Sequence, residues 1–559
     1  MHKSVLCPSP SFIQEWENAG ASLASAISRF LDLSTQLESQ CIKTETTPSD
    51  LIALIDSSLS SFQTRLNGQL TQARLALVKT RNRLTRASSI LRLPEEVLTD
   101  IFLHFVYSSH EDNRFSDVRM MDSAVELIYR RLHVLLGVCA SWRNIAISCG
   151  SLWFLIPIVD PTVGRPRALA TELSVQRAGN RPLHLAVFKP HYSYTRLQTL
   201  APRFSQVESI NIWSDSESGI ELHEIIRMLL TKGPKSLSKL SLKHLALSSL
   251  PPDSPFNHFT RPVPQLLARI KSLSTLRISN ITVAWERVSF SRKLTEFWIG
   301  DVVLDEFSTL GFFAALVSAP ELQHLTIVST RVMRDDDSLI QAVPNTFALP
   351  KLKTMHLENL PYSFLDLLYT VIARGPYRLT LIPGETFFYN YPLEETVAEE
   401  DIYDLFERRP VHTLVVARED QGFWEVESTL RTLLRLVPAL KVLTLNFYEF
   451  DRSLLKCLAR ARGCSAFPKL EVLEIHASVF PMSLEELKEE LSHILEHHPI
   501  KRMVIGGRIP SPTNPKDEKL LDEDNDTIRW LKTKVPQVYV SADVDNPPTF
   551  AEKWQLWDI

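Results

Sequence analysis

Three hexads between residues 273 and 327 decide the fold: LSTLRI (273–278), LTEFWI (294–299) and LQHLTI (322–327). In each hexad an apolar residue occupies the first, fourth and sixth positions. Alternation at the last three positions is typical of a strand that buries one face. The intervals between the hexads leave room for a helix, so this stretch predicts alternating strands and helices.

The same hexad recurs along most of the chain. The hexads begin at Val207, Leu237, Leu273, Leu294, Leu322, Leu352, Val411, Leu440, Leu470, Ile500 and Val535. Most intervals are 28–36 residues, and the 59-residue interval after Leu352 predicts a degenerate unit at residues 378–381. Amphipathic helices that end at a proline, as before Pro320, Pro438 and Pro499, precede most hexads. One strand and one helix per unit predict a repeat array whose units share a continuous core.

Residues 11 to about 88 have a helical pattern interrupted at residues 47–50 (TPSD). Apolar residues from Ile55 to Leu84 recur mostly at spacings of three and four, which predicts an antiparallel hairpin or a coiled coil. The spacing leaves open whether this seam packs internally or against another chain. Basic residues from Arg74 to Arg86 suit the C-terminal end of a helix, with a nuclear signal or an anion-binding patch as the alternative.

Between the hairpin and the repeats lies ILRLPEEVLTDIF (residues 90–102). Pro94 suits the first position of a helix, and the two glutamates that follow suit its first turn. Apolar residues from Val97 to Phe105 then form one helical stripe. A second helical run, residues 132–146, ends before Cys149-Gly150, and Leu152-Trp153 follow. A segment this short cannot bury so many large side chains alone, so it shares a core with the rest of the chain or with a partner.

This segment resembles the F-box. The matching residues are Leu93-Pro94-Glu95-Glu96-Val97-Leu98, Ile101-Phe102, Val138-Cys139-Ala140-Ser141-Trp142-Arg143 and Leu152-Trp153. The departure is an insertion around residues 107–130, of a kind common in basidiomycete-type members. The resemblance implies a small helical module that docks on the Skp-type adaptor of a cullin–RING ubiquitin ligase. The contact set it implies is Leu93, Pro94, Val97, Leu98, Ile101, Val138, Cys139 and Trp142, of which Trp142 is the one best suited to the module's own core instead.

The repeats resemble irregular leucine-rich repeats, and residues 173–183 resemble the segment that links F-box and repeats in fungal members. The regular Asn or Cys ladder is missing, because the ninth position holds Leu245, Ile281, Leu360 and Tyr448 in four units. The resulting fold class is α/β: an N-terminal helical or coiled-coil hairpin (1–89), an all-α F-box (90–156) and an irregular leucine-rich-repeat solenoid (157–559).

In such a solenoid the polar positions of the strands face an inner surface that is suited to a protein substrate. Exposed aromatic side chains there would be good anchors, although some of these residues could turn inward or be covered by a neighbouring loop. The candidate substrate-binding residues are Trp213, Arg277, Trp298, His324, His356, Asn446, Glu474 and His476.

Composition and spacing exclude several function classes. The net charge of −4 offers no overall basic field for nucleic acid. The 16 glycines are not spaced for a dinucleotide fingerprint, a P-loop or a nucleophile elbow. Six scattered cysteines indicate reduced thiols, and neither a signal peptide nor an 18-residue apolar span is found, so we expect no membrane association and a place in the cytoplasm, the nucleus or both.

Three sequences imitate metal sites and are rejected. His223-Glu224 begins a zinc-protease pattern but has Arg227 at the second ligand position, and His493 with His497 lacks a third ligand. Residues 522–527 imitate a calcium loop but lack its glycine and its bidentate glutamate. We therefore expect no catalytic residues, no metal and no cofactor.

The hypothesis from sequence is a non-enzymatic substrate receptor that joins a Skp-type adaptor, and through it a cullin–RING ligase, to an unknown protein substrate. The alternative is a repeat scaffold without a ligase, whose F-box-like helices pack on the solenoid. An enzymatic role has no residue constellation behind it.

Overall fold

The computed structural model describes residues 9–41, 49–86, 90, 93–108, 121–158, 165–188, 200–214, 220–231, 236–244, 264–333, 346–390, 395–418, 424, 426–459, 467–510 and 518–541. By density of contacts the chain divides into two compact units, Met1–Ile101 and Phe102–Ile559. The domain boundaries after residues 89 and 156 stay a prediction. Leu245, residues 91 and 92, and half of the predicted F-box insertion (residues 109–120) lie outside the described residues.

The first unit consists mainly of long helices: α1 (Pro10–Cys41), α2 (Ser49–Ser61), a π-helical turn (Phe62–Leu66) and α3 (Asn67–Arg86). The rings of Phe30 and Phe62 stack with centroids 4.5 Å apart. Phe30 lies eleven residues before the end of α1, and Phe62 lies thirteen residues after the start of α2. Since helices rise about 1.5 Å per residue, the second helical segment must return alongside the first to bring these rings together. We call α1–α3 the N-terminal hairpin.

Helix α4 (Glu95–Tyr107) spans the boundary between the units, and the other helices belong to the second unit. They are α5 (Met121–Val138), α6 (Ala140–Ser148), α7 (Arg165–Ala178), α8 (Ile220–Thr231), α9 (Pro264–Ile270), α10 (Glu306–Val317), α11 (Tyr362–Val371), α12 (Glu399–Arg408), α13 (Glu427–Leu436), α14 (Arg452–Leu458), α15 (Leu484–His497) and α16 (Asp526–Lys534). Short 3-10 helices cover Gly150–Leu152, Ala201–Gln206, Trp285–Arg287 and Glu385–Phe388.

The strands alternate with these helices along the sequence. They are β1 (Leu155–Ile158), β2 (Leu183–Phe188), β3 (Val207–Ser214), β4 (Lys239–His244), β5 (Thr275–Ser279), β6 (Glu296–Gly300), β7 (Val303–Leu304), β8 (His324–Val328), β9 (Arg331–Val332), β10 (Thr354–Glu358), β11 (Arg378–Ile382), β12 (Tyr389–Asn390), β13 (Glu395–Thr396), β14 (Val411–Ala417), β15 (Val442–Asn446), β16 (Val472–Val479), β17 (Arg502–Pro510), β18 (Glu518–Leu520) and β19 (Gln537–Val540). The degenerate unit predicted at residues 378–381 is confirmed, because β11 forms there.

One sheet contains fifteen of these strands, in the order β1-β2-β3-β4-β5-β6-β8-β10-β11-β14-β15-β16-β17-β18, with β19 also paired to β17. All pairs in it are parallel except β17–β18. Strand order therefore follows chain order, and short pairs β7–β9 and β12–β13 lie outside the main sheet. The predicted α/β class is confirmed, and the structure adds that the main sheet is mostly parallel.

The apolar positions of the hexads form the core. In β5 and β6, Leu276, Ile278, Phe297 and Ile299 are completely buried, and the helices between strands contribute to the same continuous cluster. Burial of each side chain of this size stabilises the folded state by about 1.5–3 kcal/mol relative to leaving it exposed. Because strands pair in register, the apolar positions of one unit lie beside those of the next, and neighbouring units complete each other's core.

A residue in the left-handed conformation follows directly after many strands. Asn280, Asp301, Ser329, Asn359 and Phe447 have φ between 43° and 61° and come directly after β5, β6, β8, β10 and β15. Asn280, Asp301, Ser329 and Asn359 each donate their N–H to the carbonyl of the last residue of the following strand in the main sheet, and Phe447 donates to the His476 carbonyl within β16. Asn and Asp tolerate this conformation better than most residues, which explains the polar residue at four of the five positions.

Hydrogen bonds between polar side chains link the turns that follow neighbouring strands. The sequence analysis did not predict these bonds. Ser279 donates to Asp301 at 2.7 Å, Asn359 donates to Ser329 at 3.0 Å, and Thr386 donates to Asn359 at 2.9 Å. The regular Asn or Cys ladder that is missing from the sequence belongs to the ninth position counted from the start of each hexad, whereas Asp301, Ser329 and Asn359 stand at the eighth. The turn position has no regular sequence signal, because it holds Asn in two turns, Asp and Ser in two others, and Phe447 in the fifth.

Gly311 in α10 allows the closest helix-to-backbone approach of this region. A Cβ placed there would lie 2.5 Å from the Glu286 nitrogen and 2.6 Å from the Trp285 carbonyl carbon. Trp285 is almost fully buried and its ring meets Phe312 edge-on at 5.2 Å. Backbone atoms cannot move aside as a flexible side chain can, so the position requires glycine.

We expect Gly311→Ala to lower the free energy of unfolding by about 1–3 kcal/mol, because overpacking outweighs the ~1 kcal/mol gain in helix propensity. Urea unfolding of the full chain measures this. Gly137→Ala in α5, where no atom lies within 4 Å of the added Cβ, is the matched control and should be neutral or slightly stabilising. Equal effects of the two substitutions would contradict the packing argument.

Candidate functional site

Helix α4 carries two apolar stripes side by side. It begins after Pro94, whose carbonyl accepts the Leu98 N–H at 3.1 Å, and Glu95 and Glu96 occupy its first turn, where the helix dipole favours acids. Leu98, Phe102 and Val106 are spaced four residues apart and are buried. The adjacent stripe, Val97, Ile101 and Phe105, has the same spacing but stays 38–41% exposed. The helix therefore uses one apolar stripe for folding and leaves the second available.

Helices α5 and α6 are fixed by polar contacts that have no signal in the apolar pattern. The buried Arg131 of α5 donates to the carbonyls of Val106 and Ser108, at 3.2 and 2.8 Å, and so satisfies the C-terminal end of α4. Cys139 caps α6, since its Sγ accepts the Trp142 N–H at 3.5 Å. These bonds set the direction in which α6 leaves α5.

The eight predicted adaptor-binding residues divide into exposed and packed side chains. Leu93, Pro94, Val97, Ile101 and Val138 are exposed, Leu98 is buried, and Cys139 and Trp142 are half-buried. The Trp142 ring packs against Phe102 with centroids 4.8 Å apart, so it serves the core of the second unit. Val134, four residues before Val138 and 54% exposed, is a candidate that the sequence analysis missed although the i, i+4 spacing on α5 signals it.

The helices after Phe102 share their core with the sheet. The Tyr129 hydroxyl donates to the Leu155 carbonyl of β1 and bonds to Ser174 of α7, at 2.9 and 2.7 Å. Trp153 is buried, donates from Nε1 to the Ala146 carbonyl at 2.7 Å and lies under the Arg177 guanidinium. Burial raises the pKa of the Tyr129 hydroxyl above its ordinary value. The Leu152-Trp153 end of the F-box-like segment is thus an anchor to the sheet.

Seven of the eight candidate substrate-binding residues lie on the face of the sheet opposite the core, in two groups, and the eighth, Trp213 of β3, belongs to the buried hydrophobic cluster. Arg277, Trp298 and His356 share one transverse row, because Arg277 pairs in register with Trp298 and Thr326 pairs with both Trp298 and His356. His324 lies in the adjacent row, beside Glu296 and Thr354. Asn446, Glu474 and His476 form the second group on β15 and β16, separated from the first by β11 and β14. The structure therefore does not bring the whole set together.

The first group is held by contacts within the sheet. Arg277 makes a double contact with Glu296, from Nε and Nη2 to Oε1, both at 2.6 Å. His324 Nδ1 and Thr354 Oγ1 are 2.8 Å apart, and His356 Nε2 is 2.8 Å from Glu358 Oε2. These contacts orient the charged side chains in advance.

The Trp298 ring lies over Gly300 on its own strand. A Cβ at Gly300 would come within 2.5 Å of the ring. The glycine after the tryptophan therefore lets a large, half-exposed aromatic surface lie flat along the sheet.

The expectation of exposure is wrong for three of the candidates. Trp213 is 7% exposed, Asn446 4% and His476 1%. Asn446 and His476 pair in register on adjacent strands, each directly before a left-handed residue. Sequence alternation predicts which face a side chain takes, but not how far the neighbouring parts of the chain cover it. Glu474 stays partly accessible, 3.4 Å from the Arg502 guanidinium and 3.3 Å from the Thr444 hydroxyl.

A further polar row at the start of β2–β4 contains His184, Ser209 and Lys239. The His184 ring packs against Phe154 with centroids 4.8 Å apart, and Ser209 is completely buried. Burial, and after it the charge of Lys239, lowers the pKa of His184 from 6.5 to about 4. The row therefore holds a histidine that is neutral at physiological pH.

The sequences that imitate metal sites have structural roles where they are described. Nδ1 of His497 is 2.7 Å from the His493 carbonyl within α15, and Asn525 caps α16 by accepting the Thr527 N–H at 2.9 Å. The side chain of His223 lies outside the described residues. Within the described part of the chain, we find no group of three or more His, Cys, Asp or Glu residues arranged to hold a metal ion. Nor is any described helix long and apolar enough to span a membrane.

Comparison with protein-family models gives no match to this chain. Comparison with curated proteins gives no match either.

We expect the stability of the chain to fall as pH drops from about 6.5 to 4, since unfolding lets His184 take up a proton that the folded state excludes. Because the folded pKa is the lower one, the stabilisation is present above pH 6.5 and is lost on acidification. Between pH 7 and pH 5 this protonation of His184 is expected to lower the free energy of unfolding by about 1–2 kcal/mol. The measurement is urea unfolding at both pH values, with His184→Gln expected to flatten the dependence.

Ser209→Ala, at the register partner of His184, is the control and should keep the slope of the unmodified chain. The assignment fails if His184→Gln leaves the pH dependence unchanged.

Proposed function

We propose that this chain is the substrate-receptor subunit of a Skp–cullin–F-box type ubiquitin ligase. The observation that supports this most directly is the exposed stripe Val97, Ile101 and Phe105 on α4, which falls within the F-box-like motif. An apolar stripe that stays partly exposed beside a fully buried one is suited to a partner that completes its burial. The Skp-type adaptor is the partner that the motif implies.

The contact residues proposed are Leu93 just before α4, Val97 and Ile101 on α4, and Val134 and Val138 on α5. All five side chains are exposed, so an adaptor can reach them without unfolding the chain. Leu98 and Trp142 are assigned instead to packing, because the first is buried and the second lies against Phe102.

We propose further that the strand-and-helix units from β2 onward are irregular leucine-rich repeats that form a solenoid. Strand order that follows chain order, in-register parallel pairing and the linked left-handed turns support this. Its polar face, with the partly exposed Arg277, Trp298 and His356, would bind a protein substrate. Preformed contacts such as Arg277–Glu296 reduce the entropy lost when these side chains meet a partner.

The mechanism of such a receptor is proximity. Tethering the substrate near a charged ubiquitin-conjugating enzyme raises the effective concentration of its lysines without any active site in the receptor. The proposal implies an intracellular place of action, in the cytoplasm or the nucleus.

A repeat scaffold without a ligase is the second candidate. The observation that favours it is the common core of α5, α6 and the sheet, held by Tyr129 and Trp153. The two proposals differ in what covers the exposed stripe of α4, so direct adaptor binding separates them.

We expect the full chain to bind a purified Skp-type adaptor, and Val97→Asp/Ile101→Asp to weaken that binding at least ~100-fold, because two charges would be buried in an apolar contact. Isothermal titration calorimetry measures the affinity. Since both side chains are exposed, the thermal unfolding midpoint should stay close to that of the unmodified chain.

The matched control is Phe307→Asp in α10, which changes an 80% exposed apolar residue far along the chain and should leave adaptor binding intact. Failure of the unmodified chain to bind the adaptor favours the scaffold. Unchanged binding by the double variant would place the contact elsewhere than on α4.

A further inference from the structure

The N-terminal hairpin exposes far more apolar surface than a folded helical pair needs to. Eighteen large apolar side chains on α1–α3 are each at least 38% exposed: Phe12, Ile13, Trp16, Leu23, Ile27, Phe30, Leu31, Leu33, Leu37, Ile52, Leu54, Ile55, Leu59, Phe62, Leu70, Leu75, Leu77 and Val78. In the hairpin, contact at Phe30 and Phe62 covers only the seam between the two segments. Leu31, Leu54 and Leu59 are more than 60% exposed, so they point away from it.

The exposed area is large enough for a stable dimer. If a large apolar side chain has roughly 150–200 Å² to expose, eighteen of them at about half exposure present on the order of 1,500 Å². A standard protein interface needs about 800 Å² per partner, and monomers rarely expose patches above about 600 Å². About half of the exposed apolar surface of one hairpin would therefore supply a complete interface.

The helices of the hairpin have opposite charges, so two copies of it can be complementary to each other. Helix α1 has four acidic residues and one basic residue, α2 has two aspartates, and α3 has five basic residues and no acidic one. A second copy related by a two-fold axis places its basic α3 beside the acidic α1 of the first, and the reverse contact forms at the same time. A single charge pattern thus satisfies both halves of the interface.

We propose that two copies of this chain associate through their N-terminal hairpins into a four-helix bundle. Leu31 and Leu59 lie at the same level of the hairpin as the Phe30–Phe62 contact and fill the bundle core. The α3 of each copy lies along the α1 of the other, with Arg74 and Lys79 opposite Glu15 and Glu17. The association does not depend on the ligase proposal, and it gives the protein two copies of its sheet surface.

Analytical ultracentrifugation of the full chain tests this. At about 50 μM we expect the unmodified chain to have a mass of twice 63.7 kDa. We expect Leu31→Glu/Leu59→Glu to be a monomer at the same concentration and to retain its helical circular dichroism. Phe307→Glu, which introduces the same charge at an exposed apolar residue of α10, should remain a dimer.

A charge exchange keeps the test decisive even if the leucine variant loses its hairpin. Arg74→Glu/Lys79→Glu and Glu15→Lys/Glu17→Lys should each weaken self-association at least ~10-fold, and a mixture of the two chains should restore it as a heterodimer. A monomeric unmodified chain overturns the proposal, and so does a dimer that survives both sets of substitutions. A hairpin that captures a different protein while the chain stays monomeric overturns it as well.

Discussion

The sheet of the second unit depends on parallel pairing of strands that places their buried apolar residues side by side. Each strand of the sheet supplies apolar side chains to the core, such as Leu276 and Ile278 of β5. The apolar side chains of the neighbouring strand pack beside them and complete that part of the core. The left-handed turn after the strand fixes where the chain departs, and its N–H bonds to a following strand. Register, turn and core therefore support one another.

The shared core of the second unit explains why the F-box-like segment has one buried and one exposed apolar stripe. Its helices after Phe102 have joined the core of the sheet, through Tyr129 and Trp153. Burial of one stripe of α4 therefore requires no partner, and the stripe of Val97 and Ile101 is left over. Packing in the core and contact with a partner are compatible on such a helix, because they use different faces.

The polar face of the sheet and the N-terminal hairpin present opposite kinds of surface. On the sheet, charges such as Arg277 and Glu296 are paired within the fold, so recognition there depends on shape and on oriented hydrogen bonds. On the hairpin, apolar side chains as large as Trp16 and Leu31 are uncovered. The first is suited to selective contact with a partner, and the second to burial.

The sequence by itself determined most strand positions of the main sheet, the alternation of strands with helices and the sharing of one core, because alternation and helical spacing are local properties of the chain. It located β11 even where the hexad was degenerate. Only the tertiary structure decided that Leu98 is buried while Val97 is exposed, that Arg131 caps α4, and that Asn446 and His476 are covered. Those outcomes depend on which neighbouring element approaches each face, and residues distant in the sequence decide that approach.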